Sequence, residues 1–94
     1  MEKLLASIAT RLKYIRNNSK NNFILKSCDI IDMKLDEIRA KKYTSISIVT
    51  DICDKIVNYD ISRMKRVAGE TDMVYKKMDE LAGFIAEIKE KYFE

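Results

Sequence analysis

Apolar residues return along this chain at alternating intervals of four and three. Ile24, Cys28, Ile31, Leu35 and Ile38 follow that spacing, and so do Val74, Met78, Leu81, Ile85, Ile88 and Tyr92. Leu5, Ile8, Leu12 and Ile15 make a shorter set, and Ile46, Val49, Cys53 and Ile56 a fourth. An α-helix places such positions on one face, and that face leaves water only by meeting another helix. The pattern predicts four helices, over roughly 2–17, 22–42, 45–68 and 72–92.

The interruptions support this division. NNSKNN, residues 17–22, is built of short polar side chains that bond to local backbone and favour turns and caps. Gly69 follows the basic residues Arg63, Lys65 and Arg66 and precedes Thr71 and Asp72, the order of a helix stop and restart. The stretch YTSISIVT, residues 43–50, alternates like a strand, but its apolar spacing continues helically through Ile52, Cys53 and Ile56. It is assigned to the third helix, with Thr44 or Ser45 as N-cap. Gly83 stands inside the fourth helix with no other stop signal, which implies close approach of a neighbouring helix. Phe23 and Phe84 are expected in the core.

Short connections make successive helices antiparallel, so the expected fold is all-α, an up-down-up-down four-helix bundle. The alternative is a helical hairpin plus one long helix running through Gly69, dimerising as a coiled coil. An interior glycine costs about 1 kcal/mol, and Asp60 and Thr71 are poor seam residues, so the break is favoured.

Composition narrows the class. Ninety-four residues, 47% hydrophobic and 35% charged, make one globular domain, 1–94. The absence of proline and the presence of only two glycines argue against sandwiches and barrels. A core this small invites supplement, so a second copy or another protein is an expected partner, and an oligomer an expected state. No stretch reaches the ~18 apolar residues of a membrane span. The opening MEKLLASIATRLK is broken by Ser7, Thr10 and Arg11 before a signal-peptide core can form, so the expected location is cytoplasmic.

Candidate chemistry is sparse. The chain contains no histidine, which removes Ser–His and Cys–His nucleophile pairs and the commonest metal ligand. The glycines stand alone, so no Gly-rich phosphate loop exists. Asp29, Asp32 and Asp36, and Asp51 and Asp54, read as solvated acidic faces. In a hairpin turning near Tyr43, Cys28 and Cys53 would have Cα atoms roughly 11 Å apart, too far for a disulfide, and both read as buried reduced thiols. No catalytic residue, cofactor or metal site is predicted, and the chain is not expected to be an enzyme.

Charge is the uneven feature. Lys3, Arg11, Lys13, Arg16, Lys20 and Lys26 occur before Asp29 with no acid among them after Glu2. This basic strip either meets an anionic surface or faces the acidic strip of the second helix or of a partner. The expected interaction surface is Arg11, Lys13, Tyr14, Arg16, Lys20 and Lys26 on the basic side, with Tyr92 and Phe93 at the tail. The leading functional expectation is protein–protein interaction: an adaptor, an assembly subunit or an inhibitor of a larger protein. The second is nucleic-acid binding through the basic N-terminal quarter, for which a net charge of +3 is small and no recognised motif is present.

Overall fold

A computed structural model of the chain describes residues 1–69 and 72–93. The described residues form four helices and no strand: α1 (Glu2–Asn18), α2 (Asn22–Arg39), α3 (the rod 46–68) and α4 (Met73–Lys91). The helices run antiparallel in a closed ring in which α1 touches α2 and α4, and α3 touches α2 and α4. At 1.5 Å per residue α3 is about 35 Å long, close to the longest molecular dimension of 37 Å.

The seams enter the core as their spacing requires. Ile8, Leu12 and Ile15 of α1, Cys28, Ile31, Leu35 and Ile38 of α2, and Met78, Leu81, Ile85 and Ile88 of α4 are all buried. Cys28 and Cys53 are free and fully buried among them. Burial pushes each thiol up to about 11, because an apolar interior disfavours the thiolate. Phe23 and Phe84 lie at the edge of this core rather than inside it. Each is half-buried beneath a guanidinium, Arg63 over Phe23 at 4.8 Å and Arg11 over Phe84 at 4.8 Å.

The third rod is not a uniform α-helix. It consists of an α segment Ile46–Lys55, a π-helical segment Ile56–Ile61 and a second α segment Ser62–Ala68. Ile46, expected at the head of this seam, is instead 48% exposed on the first turn; the buried apolar residues are Val49, Cys53, Ile56, Ile61 and Met64, so one interval in the stripe is five residues long. A π turn, closing i to i+5, absorbs that extra residue and returns the stripe to the core. Asp60, which spoils a strict four-three seam, moves to its edge. Its carboxylate stays 7% exposed and accepts a hydrogen bond from Lys34 Nζ at 2.8 Å.

Caps and turns set the ends. Asn21 Oδ1 accepts from the backbone N–H of Phe23 at 2.8 Å and of Ile24 at 3.3 Å, starting α2. Asp72 does the same for Val74 at 2.9 Å, starting α4. Ser45 occupies the N-cap position of α3 without a side-chain bond. Gly69 adopts φ 81°, a left-handed value that ends α3 at Ala68, so the continuous long helix does not form. Thr71 lies outside the described residues.

Two local expectations are corrected. The second helix stops at Arg39, three residues before the expected position 42. Lys41 takes φ 55°, and the N–H groups of Lys41 and Lys42 bond back to Ile38 and Glu37, closing the helix as a glycine normally would. The anchor is tertiary: the Lys41 ammonium donates to the Tyr92 carbonyl and sits 4.3 Å from the Tyr92 ring centre. Gly83 does not mark a close helix approach. A Cβ built there meets nothing within 4 Å, because the residue points to solvent between the buried Leu81 and Ile85.

Candidate interaction surface

The basic N-terminal strip is partly consumed inside the bundle. Arg11 Nε bonds Glu80 of α4 at 3.3 Å while its guanidinium covers Phe84. Arg16 bonds Asp29 at 2.9 Å and also Asp32, both on α2. Burial works against the Arg16 charge, and the bonds to Asp32 and Asp29 outweigh it, so its pKa rises. Tyr14 is half-buried, with Lys77 5.5 Å from its ring centre. Lys13, Lys20 and Lys26 are exposed and make no ion pair among the described residues. The strip therefore faces the acids of α2 and α4 through its arginines and presents only lysines to solvent.

Tyr92 and Phe93 part company. Tyr92 is 2% exposed and closes one end of the bundle. Its hydroxyl accepts from the Tyr43 N–H at 3.0 Å and donates to the Tyr43 carbonyl at 3.0 Å. Phe93 is exposed and packs edge-on against the Tyr92 ring. Beside them the Tyr43 hydroxyl donates to Glu37, which raises the Tyr43 pKa, with burial adding to the rise. An aromatic closing a bundle end is unavailable to a partner, which leaves Phe93 alone at the tail.

The apolar surface lies elsewhere. Among the described residues eight large hydrophobic side chains are exposed, and six of them belong to α2 and α3: Ile30, Met33, Ile46, Ile48, Tyr59 and Val67. The other two, Met73 and Phe93, stand at the two ends of α4, and α1 contributes none. Met33 is 66% exposed and Tyr59 57%, the two largest values in the set.

Contacts across the α2–α3 seam order this surface. The Arg63 guanidinium lies 4.8 Å from the Phe23 ring centre and 4.9 Å from that of Tyr59, and donates to the Tyr59 hydroxyl at 2.7 Å. Toward the other end, Lys34 of α2 reaches Asp60 of α3. Ile30 lies on the same row of α2, between Phe23 and Lys34, and Met33 is one turn further on. Ile30 and Tyr59 thus lie beside a seam held by an aromatic–guanidinium stack and an ion pair. Sequence reasoning passed over Ile30, Met33 and Tyr59. Their signal was that they are large apolar residues off the buried seams.

The remaining clefts offer less. One of about 550 Å³ lies between α3 and α4, lined by Asn58, Ser62, Lys65, Arg66 and Tyr75 among others. One of its two cations is already committed: Lys65 bonds Asp79, and that bond raises its pKa. A second of about 610 Å³ lies between the start of α1 and the end of α4. Among the described residues no group of three or more His, Cys, Asp or Glu is placed to hold a metal ion. No described helix is long and apolar enough to cross a membrane.

These features define an all-α four-helix bundle with ion pairs on every side and its exposed large hydrophobic side chains mainly on α2 and α3. No known family, no curated protein and no solved structure matches the chain.

Proposed function

We propose that this protein acts without catalysis, by binding another protein through the outer α2–α3 surface. The observation that carries this is the segregation of exposed apolar side chains: six of eight on two adjacent helices, none on α1. Scattered surface hydrophobics are ordinary, but their concentration on two adjacent helices, among charged residues, favours an interface. One side of a molecule with 5780 Å² of surface is large enough for the roughly 800 Å² per partner of a standard interface. The role is that of an adaptor, an assembly subunit or an inhibitor of a larger protein. Affinity purification from the native host tests it. Partners should be retained by the unmodified protein and by Lys13→Glu, and lost from the Ile30→Glu/Met33→Glu double variant. Equal retention by all three would refute the assignment of the surface.

The second reading is nucleic-acid binding through Lys13, Lys20 and Lys26, supported by their exposure and lack of ion pairs among the described residues. It ranks second because Arg11 and Arg16, the cations best suited to bidentate phosphate contact, are engaged within the bundle. Binding to DNA or RNA at low salt that weakens linearly with log salt would support it. No binding at low salt would remove it.

A further inference from the structure

We infer that the end of the bundle holding the α1–α2 and α3–α4 connections binds the phosphate backbone of duplex DNA. This rests on the second reading above, not on the α2–α3 surface, and adds the place of the site and the form of the nucleic acid. Antiparallel packing brings two distant segments, 13–27 and 63–78, to that end. The Arg63 guanidinium over the Phe23 ring at 4.8 Å joins the end of α3 to the start of α2, and Lys77, 5.5 Å from the Tyr14 ring centre, joins the start of α4 to the end of α1. Together the segments hold nine lysines and arginines against two acids, Glu70 and Asp72. Four further acids, Asp29, Asp32, Asp79 and Glu80, bond cations of this end from beyond it. Charging all four against it still leaves nine cations to six acids, and the rest of the chain carries nine of each. The whole net charge of +3 therefore sits at one end of the molecule.

The cations without a partner encircle that end. Lys13 of α1, Lys20 of the connection, Lys26 of α2, Arg66 of α3 and Lys76 of α4 are exposed and make no ion pair among the described residues. None of the four on helices is more than five residues from its helix terminus, so all lie within about 8 Å of the end at 1.5 Å per residue. The bundle is 22 by 18 Å across, enough to span a major groove about 12 Å wide and meet the phosphates on both sides. Exposed amides of Asn17 and Asn22 stand among these cations and are the neutral donors that phosphate contacts also use. The only large apolar side chains exposed in the two segments are Val67 and Met73. Neither is aromatic, so this end offers no platform for stacking single-stranded bases. A protein interface has the opposite composition, with charge depleted from its centre.

Fluorescence anisotropy with the full chain tests this, using a mixed-sequence DNA duplex, its separated single strand and phosphatidylserine-containing vesicles as probes. The duplex should bind more tightly than the single strand. Its log affinity should fall against log salt with a slope of about −4 to −5, five phosphate contacts at about −0.9 each. Arg66→Gln/Lys76→Gln, on α3 and α4, should flatten that slope by about 2 units, as should Lys13→Gln/Lys20→Gln. Lys42→Gln, at the opposite end of the bundle, should leave it unchanged. Flattening by the Lys13/Lys20 pair alone, or preference for the single strand, would overturn the inference and leave the second reading intact. Binding to vesicles in place of the duplex, or no duplex binding at low salt, would overturn both.

Discussion

Deleting Asp60 should leave the bundle folded, although one-residue deletions inside helices are ordinarily destructive. The expectation follows from the stripe on α3. Ile56 and Ile61 are both buried and stand five residues apart, and the π segment Ile56–Ile61 accommodates the extra residue. Removing Asp60 restores an interval of four, so Ile61 and Met64 keep their places with ordinary α-helical bonding. The loss is the Lys34–Asp60 bond, whose lysine is about one-third exposed, worth no more than about 1 kcal/mol. The control is deletion of Met33, an exposed residue of α2, a helix with no π segment to absorb the change. That deletion turns the remainder of α2 by about 100° and takes Leu35 and Ile38, 1% and 0% exposed, off the core. At about 1.5–3 kcal/mol per side chain, the cost is roughly 3–6 kcal/mol, comparable with the whole stability of a small domain. Thermal melts by circular dichroism separate the two. The Asp60 deletion should melt within about 8 °C of the parent, and the Met33 deletion should show no cooperative transition. Equal damage from both would refute the insertion account of the π segment.

Three further outcomes follow from the same geometry. Gly83→Ala should raise stability by about 0.5–1 kcal/mol, read as a higher Tm, because a Cβ there meets nothing and the backbone is helical; a lower Tm would contradict the open surroundings. Tyr92→Phe should cost about 1–3 kcal/mol, read from the urea midpoint, because it removes both hydrogen bonds that tie the chain end to Tyr43. Stability should fall between about pH 9 and pH 11, since Cys28 and Cys53 ionise near 9 when unfolded and only near 11 when folded. The native state then holds protons that the unfolded chain has released, so the slope is negative, and the Cys28→Ala/Cys53→Ala variant should have a shallower one in urea titrations across that range.

The core was legible because it rests on a local period. Each seam could be read without knowing its partner, and the polar run at 17–22 and Gly69 marked the stops. The π segment was half legible. Asp60 stood out as a defect while it was forced onto a four-three stripe, and counting Ile61 in its place turns the defect into a five-residue interval. Lys41 was not legible at all. Nothing near it in sequence favours a left-handed lysine, and its anchor, Tyr92, lies at the other end of the chain.

The surface was harder to read than the core for a related reason. The excess of positive charge in the first quarter is visible in one dimension, and it drew attention to α1. What it did not reveal is that the two arginines there find their acids on α2 and α4, so the strip is partly spent on holding helices together. Conversely, Ile30, Met33 and Tyr59 each look like a single exposed hydrophobic of the kind any surface carries. They become a surface only because antiparallel packing sets α2 beside α3 and lets Arg63 bridge Phe23 and Tyr59. A seam declares itself through periodicity within one helix, whereas an interface assembled from two helices has no period of its own. The side of this bundle proposed to meet a partner is therefore a property of its topology, and testing it means perturbing both helices at once.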